Sequence, residues 1–153
     1  NIDERNDIMS ENTELLEYIY ENAKMGVNSL TNLIREINGK DNKIKKIIEG
    51  ELKGYENYVK DCEKLMKKFK VEPKEPSMMA NVSSFMGTKM EMMNDNSDAR
   101  IADMLIKGFT MGNIDITKKI DRYEDDADQD ILELAKRLLK FGEENISLLK
   151  PYL

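Results

Sequence analysis

The strongest constraint on this chain is that apolar side chains recur at alternating intervals of four and three residues along its long segments. In the first segment, residues 13–37, the recurring positions are Leu16, Tyr20, Ala23, Val27, Leu30, Ile34 and Ile37. In the second segment, residues 42–70, they are Ile44, Ile48, Glu51, Tyr55, Tyr58, Cys62, Leu65 and Phe69. This spacing places every member on one face of an α-helix. No segment shows the period-two alternation of a half-buried strand, so the pattern predicts amphipathic helices.

A proline-containing break divides the chain near its middle. Residues 71–76 include Pro73 and Pro76, and proline cannot continue a helix. A shorter helical stretch is predicted for residues 77–93, and two long helices are predicted for residues 98–123 and 127–150. The apolar face of the last helix is Ile131, Leu134, Leu138, Phe141, Asn145, Leu148 and Tyr152. We therefore expect an all-α, antiparallel four-helix bundle with a short extra helix in its central crossover.

The same reading gives the domain organisation. Residues 1–11 are polar and are expected to form an N-terminal tail. Residues 12–153 are expected to form one helical-bundle domain. Within it, a hairpin of residues 12–70 and a hairpin of residues 77–153 are joined by a linker of residues 71–76.

Motifs in the second half of the chain resemble a known group. They are VSSFMGTKM at residues 82–90, IADMLIKG at 101–108 and MGNIDITK at 111–118. Together with the two-hairpin plan, they resemble uncharacterised ferritin-like proteins of spore-forming Firmicutes, over nearly the whole chain. The resemblance implies a ferritin-like bundle, and it implies no particular activity.

Ferritin-like metal sites take a Glu from two helices and a Glu-x-x-His pair from the other two. Glu51 falls on the apolar face of the second helix, but Gly54 occupies the position where the pair would need its histidine. The fourth helix offers Glu133, which is followed by Lys136 rather than histidine. The remaining candidates are Glu17 or Glu21 in the first helix and Asp115 in the third.

Because the chain contains no histidine, such a site would consist of carboxylates alone. Carboxylate ligands suit hard cations such as Mn²⁺ and Mg²⁺. A histidine-free metal-binding or oxidoreductase bundle holding Fe or Mn is therefore the alternative function, and otherwise no cofactor is expected. The competing interpretation of Glu51 is a carboxyl that bonds Tyr20, Tyr55 or a nearby lysine, or that leans out to water.

The missing residue types exclude several classes of protein. With no histidine and a single cysteine, Cys62, the chain cannot carry a Ser-His-Asp or Cys-His catalytic group, a histidine-ligated zinc or an internal disulfide. The net charge of −6 disfavours nucleic acid and anionic membrane surfaces as partners. No apolar run is long enough to span a membrane. We expect a cytoplasmic protein that is not an enzyme.

Methionines mark a second candidate surface. Met79, Met86, Met90 and Met93 would share one face of the helix predicted for residues 77–93. Methionine packs adaptably, so this face suits a protein partner or self-association. The alternatives are a structural face that covers one end of the bundle and a thioether site for Cu(I).

Glycines inside the predicted helices are the third anomaly. Gly50 with Gly54, and Gly108 with Gly112, are spaced by four residues, so each pair lies on one helix face. Small residues at this spacing permit close helix crossing. The alternative is a gap that leaves room for a ligand or a partner helix. From these observations together we expect a non-enzymatic scaffold or interaction protein.

Overall fold

The computed structural model describes residues 2–73 and 95–153, with side chains from Glu11 onward. Over these residues the chain is all-helical, with four α-helices, one 3₁₀ turn and no strand. The helices are α1 (Ile2–Glu36), α2 (Lys45–Phe69), α3 (Asp98–Tyr123) and α4 (Gln129–Leu149), and the 3₁₀ turn is Lys150–Tyr152. The prediction of an all-α chain with four long helices is confirmed. The short helix predicted for residues 77–93 lies outside the described residues.

Helix α1 is longer than the apolar pattern indicated. It begins at Ile2, whereas the pattern predicted a start at Thr13 and a polar tail before it. Residues 2–12 contain neither proline nor glycine, so nothing in them breaks a helix that is already stabilised further along by burial. The predicted helix start was therefore wrong, because an apolar pattern marks the buried part of a helix and not its full length.

The starts of α2 and α4 differ, because only α4 has a side-chain cap. The Asn42 side chain does not cap α2; its Nδ2 donates to Asp98 Oδ1 at 2.9 Å. Helix α2 thus begins at Lys45 with no side-chain cap. At α4, Asp128 Oδ1 accepts from the Asp130 backbone N–H at 2.8 Å, which satisfies one unpaired donor of the first turn. Asp130 also lies in the first turn of α4, where the helix dipole favours negative charge.

The buried faces follow the predicted patterns near their beginnings and drift from them later. On α2 the buried residues are Ile48, Glu51, Tyr55, Val59, Cys62 and Met66, while the predicted Tyr58, Leu65 and Phe69 are only partly buried. On α4, Leu149 is 0% exposed and the predicted Leu148 is 51% exposed. A strict repeat of 3.5 residues per turn moves about 20° per heptad away from a straight helix of 3.6. The observed lines of burial are those of straight helices.

Hydrogen bonds at the loops tie the two hairpins together. The loop after α1 is bonded to the start of α3 through Asn42 and through the Lys43 N–H, which donates to Asp98 Oδ2 at 3.0 Å. The loop after α3 is bonded to α1, because the Asp128 N–H donates to Asn12 Oδ1 at 2.6 Å and the Tyr123 hydroxyl donates to Glu14. Between these ties the helices pack through a continuous apolar core.

Candidate functional site

The five carboxylates considered as metal ligands do not come together. Glu51 is buried, Glu17 and Glu21 are partly buried, and Asp115 and Glu133 are exposed. Within residues 11–73 and 95–153, whose side chains the structure describes, no group of three or more Cys, Asp or Glu side chains could hold a metal ion. The structure brings only Glu21 and Asp115 to one place, the wall of a cavity between α1 and α3. The metal-site prediction therefore lacks a geometric basis in the described residues.

Glu51 is buried in a way that the sequence did not anticipate. Its side chain is 1% exposed, and neither carboxyl oxygen has a hydrogen-bond partner among the described residues. Loss of hydration raises the pKa of Glu51 to about 8, because burial penalises the charged form. The sequence suggested either a hydrogen-bonded carboxyl or a carboxyl that leans out to water. The buried Glu51 carboxyl, which has no hydrogen-bond partner among the described residues, fits neither interpretation. Burial therefore favours the neutral, protonated form of this side chain.

Cys62 is the chain's single thiol, and it behaves as a core side chain. It is fully buried, and burial is the largest cause that raises its pKa to about 12, with the charges of Asp61 and Glu63 adding to the effect. A thiol acts as a nucleophile only as the thiolate. The expectation that Cys62 belongs to the core is confirmed.

An aromatic cluster occupies the centre of the molecule. The rings of Tyr55 and Phe109 are stacked with centroids 6.1 Å apart, and Phe141 meets both edge-on at 5.0 and 6.2 Å. These are favourable arrangements for aromatic pairs. Because Tyr55 lies on α2, Phe109 on α3 and Phe141 on α4, the cluster joins three helices and fixes the position of each ring.

A cavity of about 290 Å³ lies beside this cluster, between α1 and α3; we call it the α1–α3 cavity. Its inner wall includes the buried Tyr55 and Phe109, and its outer wall includes the exposed Met111 and Asp115. The cavity thus runs from the core to the surface. The other lining residues are Tyr18, Glu21, Asn22, Met25, Gly26, Ser29, Leu30, Leu105, Gly108, Gly112, Asn113, Ile116, Leu138 and Gly142.

The glycines explain both the close packing and the open space. A Cβ on Gly26 would lie under 3.0 Å from the Tyr55 ring, one on Gly54 as close to Phe141, and one on Gly142 as close to Asn113. These three permit tight helix crossing, as predicted for Gly54, whereas nothing lies within 4 Å of a Cβ placed on its predicted pair partner Gly50. Gly112 differs, because the nearest atom to a Cβ there would be Asn22 Nδ2 at 4.0 Å. Its missing side chain leaves space that belongs to the cavity.

The mouth of the cavity is polar and includes the carboxylates of Glu21 and Asp115. Tyr18 lies there with its pKa raised to about 12, first by burial and then by the charge of Asp115, while a hydrogen bond with Asn22 opposes the shift. The ammonium of Lys119 lies 5.1 Å from the centroid of the Tyr18 ring, within the range of a cation–π contact. An apolar interior with a few polar groups at one end is the usual form of a small-molecule site.

The sequence pointed to some residues of this site but did not indicate that they lie close together in the fold. The spacing of Gly108 and Gly112 indicated either close packing or a gap, and only the structure distinguishes the two. Tyr18, Asn22 and Phe109 carried no usable signal, because their role depends on how α1 is placed against α3. The four methionines at positions 79, 86, 90 and 93 lie outside the described residues, so the surface they were expected to form is untested.

Comparison with known proteins adds no assignment: no protein family matches the chain, and neither curated proteins nor solved structures give a significant match. Among the described helices, none has both the length and the apolar character that crossing a membrane requires.

Proposed function

We propose that this chain is a non-enzymatic binding protein whose interaction site is the α1–α3 cavity, which takes up a small apolar molecule. The observation that carries the proposal is the cavity itself. Its volume of about 290 Å³ lies close to the lower end of the range for ligand pockets, roughly 300–1,000 Å³. Its inner wall is aromatic and its mouth is polar, so a bound molecule would bury its apolar part and keep a polar end near water.

The chemistry of the buried groups supports binding rather than catalysis. General acid–base catalysis needs a titrating group within hydrogen-bond reach of the reacting atom. Glu51 has the most shifted carboxyl pKa in the described part of the chain, yet it is not among the residues that line the cavity. Cys62 is likewise absent from the lining and is protonated by burial. The residues that line the cavity can hold a ligand and determine the shape of the space that it occupies. They include no nucleophile paired with a base.

The finer fold assignment belongs to the same proposal: the helices form an antiparallel, ferritin-like bundle. Two contacts support opposite directions for α2 and α4. Tyr58 donates to the Arg137 carbonyl at 3.0 Å, and Lys68 pairs with Asp130 at 3.0 Å, so numbers rise along α2 as they fall along α4. The long connection between α2 and α3 matches the crossover of ferritin-like chains.

Four further expectations accompany the binding proposal. They are self-association, a scaffold role toward another protein, no nucleic-acid partner, and a cytoplasmic location. The net charge of −6 supports the third, because such a surface repels phosphate backbones. Light scattering of the purified protein tests the first, and a strict monomer at high concentration would contradict it.

Binding of a neutral apolar dye tests the cavity directly. N-phenylnaphthylamine brightens in apolar surroundings, and the chain contains no tryptophan to interfere with its emission. We expect saturable binding of one dye per chain. Gly112→Leu should abolish it, because the new side chain would extend into the space beside Gly112 and occupy the cavity.

The matched control is Gly50→Leu. Gly50 also lies inside a helix, is exposed, and has no atom within 4 Å of a Cβ placed on it. Both substitutions gain helix propensity, so both variants should fold, which circular dichroism checks. The proposal fails if Gly112→Leu binds the dye as the unmodified protein does, or if Gly50→Leu loses binding to the same extent.

A further inference from the structure

The charged residues that line the α1–α3 cavity are both acids. Glu21 on α1 and Asp115 on α3 belong to the lining, and no lysine or arginine does among the described residues. The two carboxylates come from different helices, and they share one mouth. Because a partly enclosed site has a lower effective dielectric constant than bulk water, charge there acts more strongly on a bound group than it does at an open surface.

The aromatic rings of the cavity add a second preference for positive charge. The Lys119 ammonium lies 5.1 Å from the centroid of the Tyr18 ring, within the range of a cation–π contact. Lys119 itself is not part of the lining. Deeper in the cavity, the Tyr55 and Phe109 rings are stacked against each other and provide an apolar wall for a hydrocarbon or aromatic body.

Carboxylates at the mouth and rings along the wall select one class of molecule. An anion with an apolar tail would meet Glu21 and Asp115 with like charge. A neutral molecule would gain only the apolar contact. A protonated amine gains apolar contact, attraction to both carboxylates and contact with an aromatic face.

We infer that the ligand of the α1–α3 cavity is a small organic amine, bound as its ammonium with the charge at the Glu21–Asp115 mouth and its apolar body against Tyr55 and Phe109. This inference rests on the proposed function and specifies the substrate class of the same site. It concerns the charge of the ligand, whereas the proposed function concerns only the existence of the site. An experiment can therefore contradict the inferred charge of the ligand without contradicting the existence of the site.

Three probes of the same shape separate these possibilities: phenylbutylamine, phenylbutanol and phenylbutyrate. Calorimetry, or displacement of N-phenylnaphthylamine, gives the dissociation constant of each. We expect phenylbutylamine to bind roughly tenfold more tightly than phenylbutanol, since the carboxylates are partly solvated and their attraction is screened. Phenylbutyrate should bind more weakly than both, and added salt should reduce the advantage of the amine.

Variants assign the preference to the two acids. Asp115→Asn combined with Glu21→Gln should reduce the advantage of the amine to about twofold or less, as expected when the ion pairs are removed, with phenylbutanol binding unchanged. Asp125→Asn, an exposed acid in the loop after α3, is the matched control and should preserve the advantage. Gly112→Leu should abolish binding of all three probes.

Equal binding of amine and alcohol would overturn the inference and leave the proposed function standing. An amine preference that survives in the Asp115→Asn, Glu21→Gln variant would also overturn it, because the charge that selects the amine would then lie elsewhere. Failure of all three probes and of the dye would overturn the inference and the proposed function together.

Discussion

Glu51 makes the stability of the protein depend on pH. Its folded-state pKa of about 8 lies above its ordinary value of 4.5, so between these two values the folded chain holds a proton that the unfolded chain releases. The stabilising contribution of this proton is full below pH 4.5 and is lost as the pH rises through 8. Within that window, the free energy of unfolding should fall by up to about 1.4 kcal/mol per pH unit.

Glu51→Gln tests this dependence, because the amide keeps the shape of the side chain and cannot ionise. We expect the variant to unfold in urea with nearly the stability of the unmodified protein near pH 4.5, and with an increasing advantage toward pH 8. Glu133→Gln, at an exposed position on α4, is the control. The difference in stability between this variant and the unmodified protein should not change with pH. Parallel stability curves for Glu51→Gln and the unmodified protein would contradict an ionisable group buried here.

The glycines allow a second prediction at single residues, with opposite signs. Gly26→Ala should destabilise the protein by about 1–3 kcal/mol, because its Cβ would lie under 3.0 Å from the Tyr55 ring. That ring cannot retreat easily, since it is stacked against Phe109. Gly50→Ala should stabilise the protein by about 0.5–1 kcal/mol through helix propensity alone.

Urea unfolding of the two variants measures these changes. Both variants replace glycine by alanine inside a helix. If both change the free energy of unfolding in the same direction, the Tyr55 contact does not decide the effect. Sequence alone could not separate the two positions. Gly26 and Gly50 are both glycines within amphipathic helices, and only the neighbouring helix gives one of them a crowded environment.

At the scale of the helix, sequence predicted the elements well and their buried faces less well. The four-and-three spacing identified three of the four long helices, the first, second and fourth, because burial of one face dominates their residue pattern. On α2 and α4 it misplaced the later residues of the buried face, because the spacing was interpreted as a heptad repeat. On α2, burial follows Val59 and Met66, and the predicted Tyr58 and Leu65 flank the core.

Helix α4 provides a direct test of this difference. Leu149 is 0% exposed and Leu148 is 51% exposed, although the heptad pattern selected Leu148. Leu149→Ala should lower the free energy of unfolding by about 2–5 kcal/mol. Leu148→Ala should change it by no more than about 0.5 kcal/mol. Chemical denaturation measures both, and a larger loss at Leu148 would restore the heptad assignment.

At the scale of the whole molecule, the candidate site depends on how the two hairpins meet. Gly26 and Tyr18 on α1 face Gly112 and Asp115 on α3 across the cavity, and these residues are far apart in sequence. A pattern within one helix contains no information about the distance to another. The predicted carboxylate site was lost for the same reason: Glu51 lay on the apolar face of its own helix, but within the described residues the helices do not gather the candidate carboxylates into a metal site.

Hydrogen bonds at the loops also help to place the two hairpins, and Asp98 takes part in two of them. Its carboxylate accepts from Asn42 Nδ2 at 2.9 Å and from the Lys43 N–H at 3.0 Å, and it lies in the first turn of α3, where the helix dipole favours negative charge. Asp98→Ala should therefore destabilise the protein by about 1–2 kcal/mol.

A double-mutant cycle with Asn42→Ala separates the tie between hairpins from the helix-dipole effect. If Asn42 acts through Asp98, the double variant should lose less than the sum of the two single losses, with a coupling of at least about 0.5 kcal/mol. The dipole effect belongs to Asp98 alone and cancels in the cycle. Additive losses in urea unfolding would mean that the bond between Asn42 and Asp98 does not help to hold the two hairpins together. If the contacts of Asp98 position α3 against α1, Asp98→Ala should also weaken dye binding in the α1–α3 cavity.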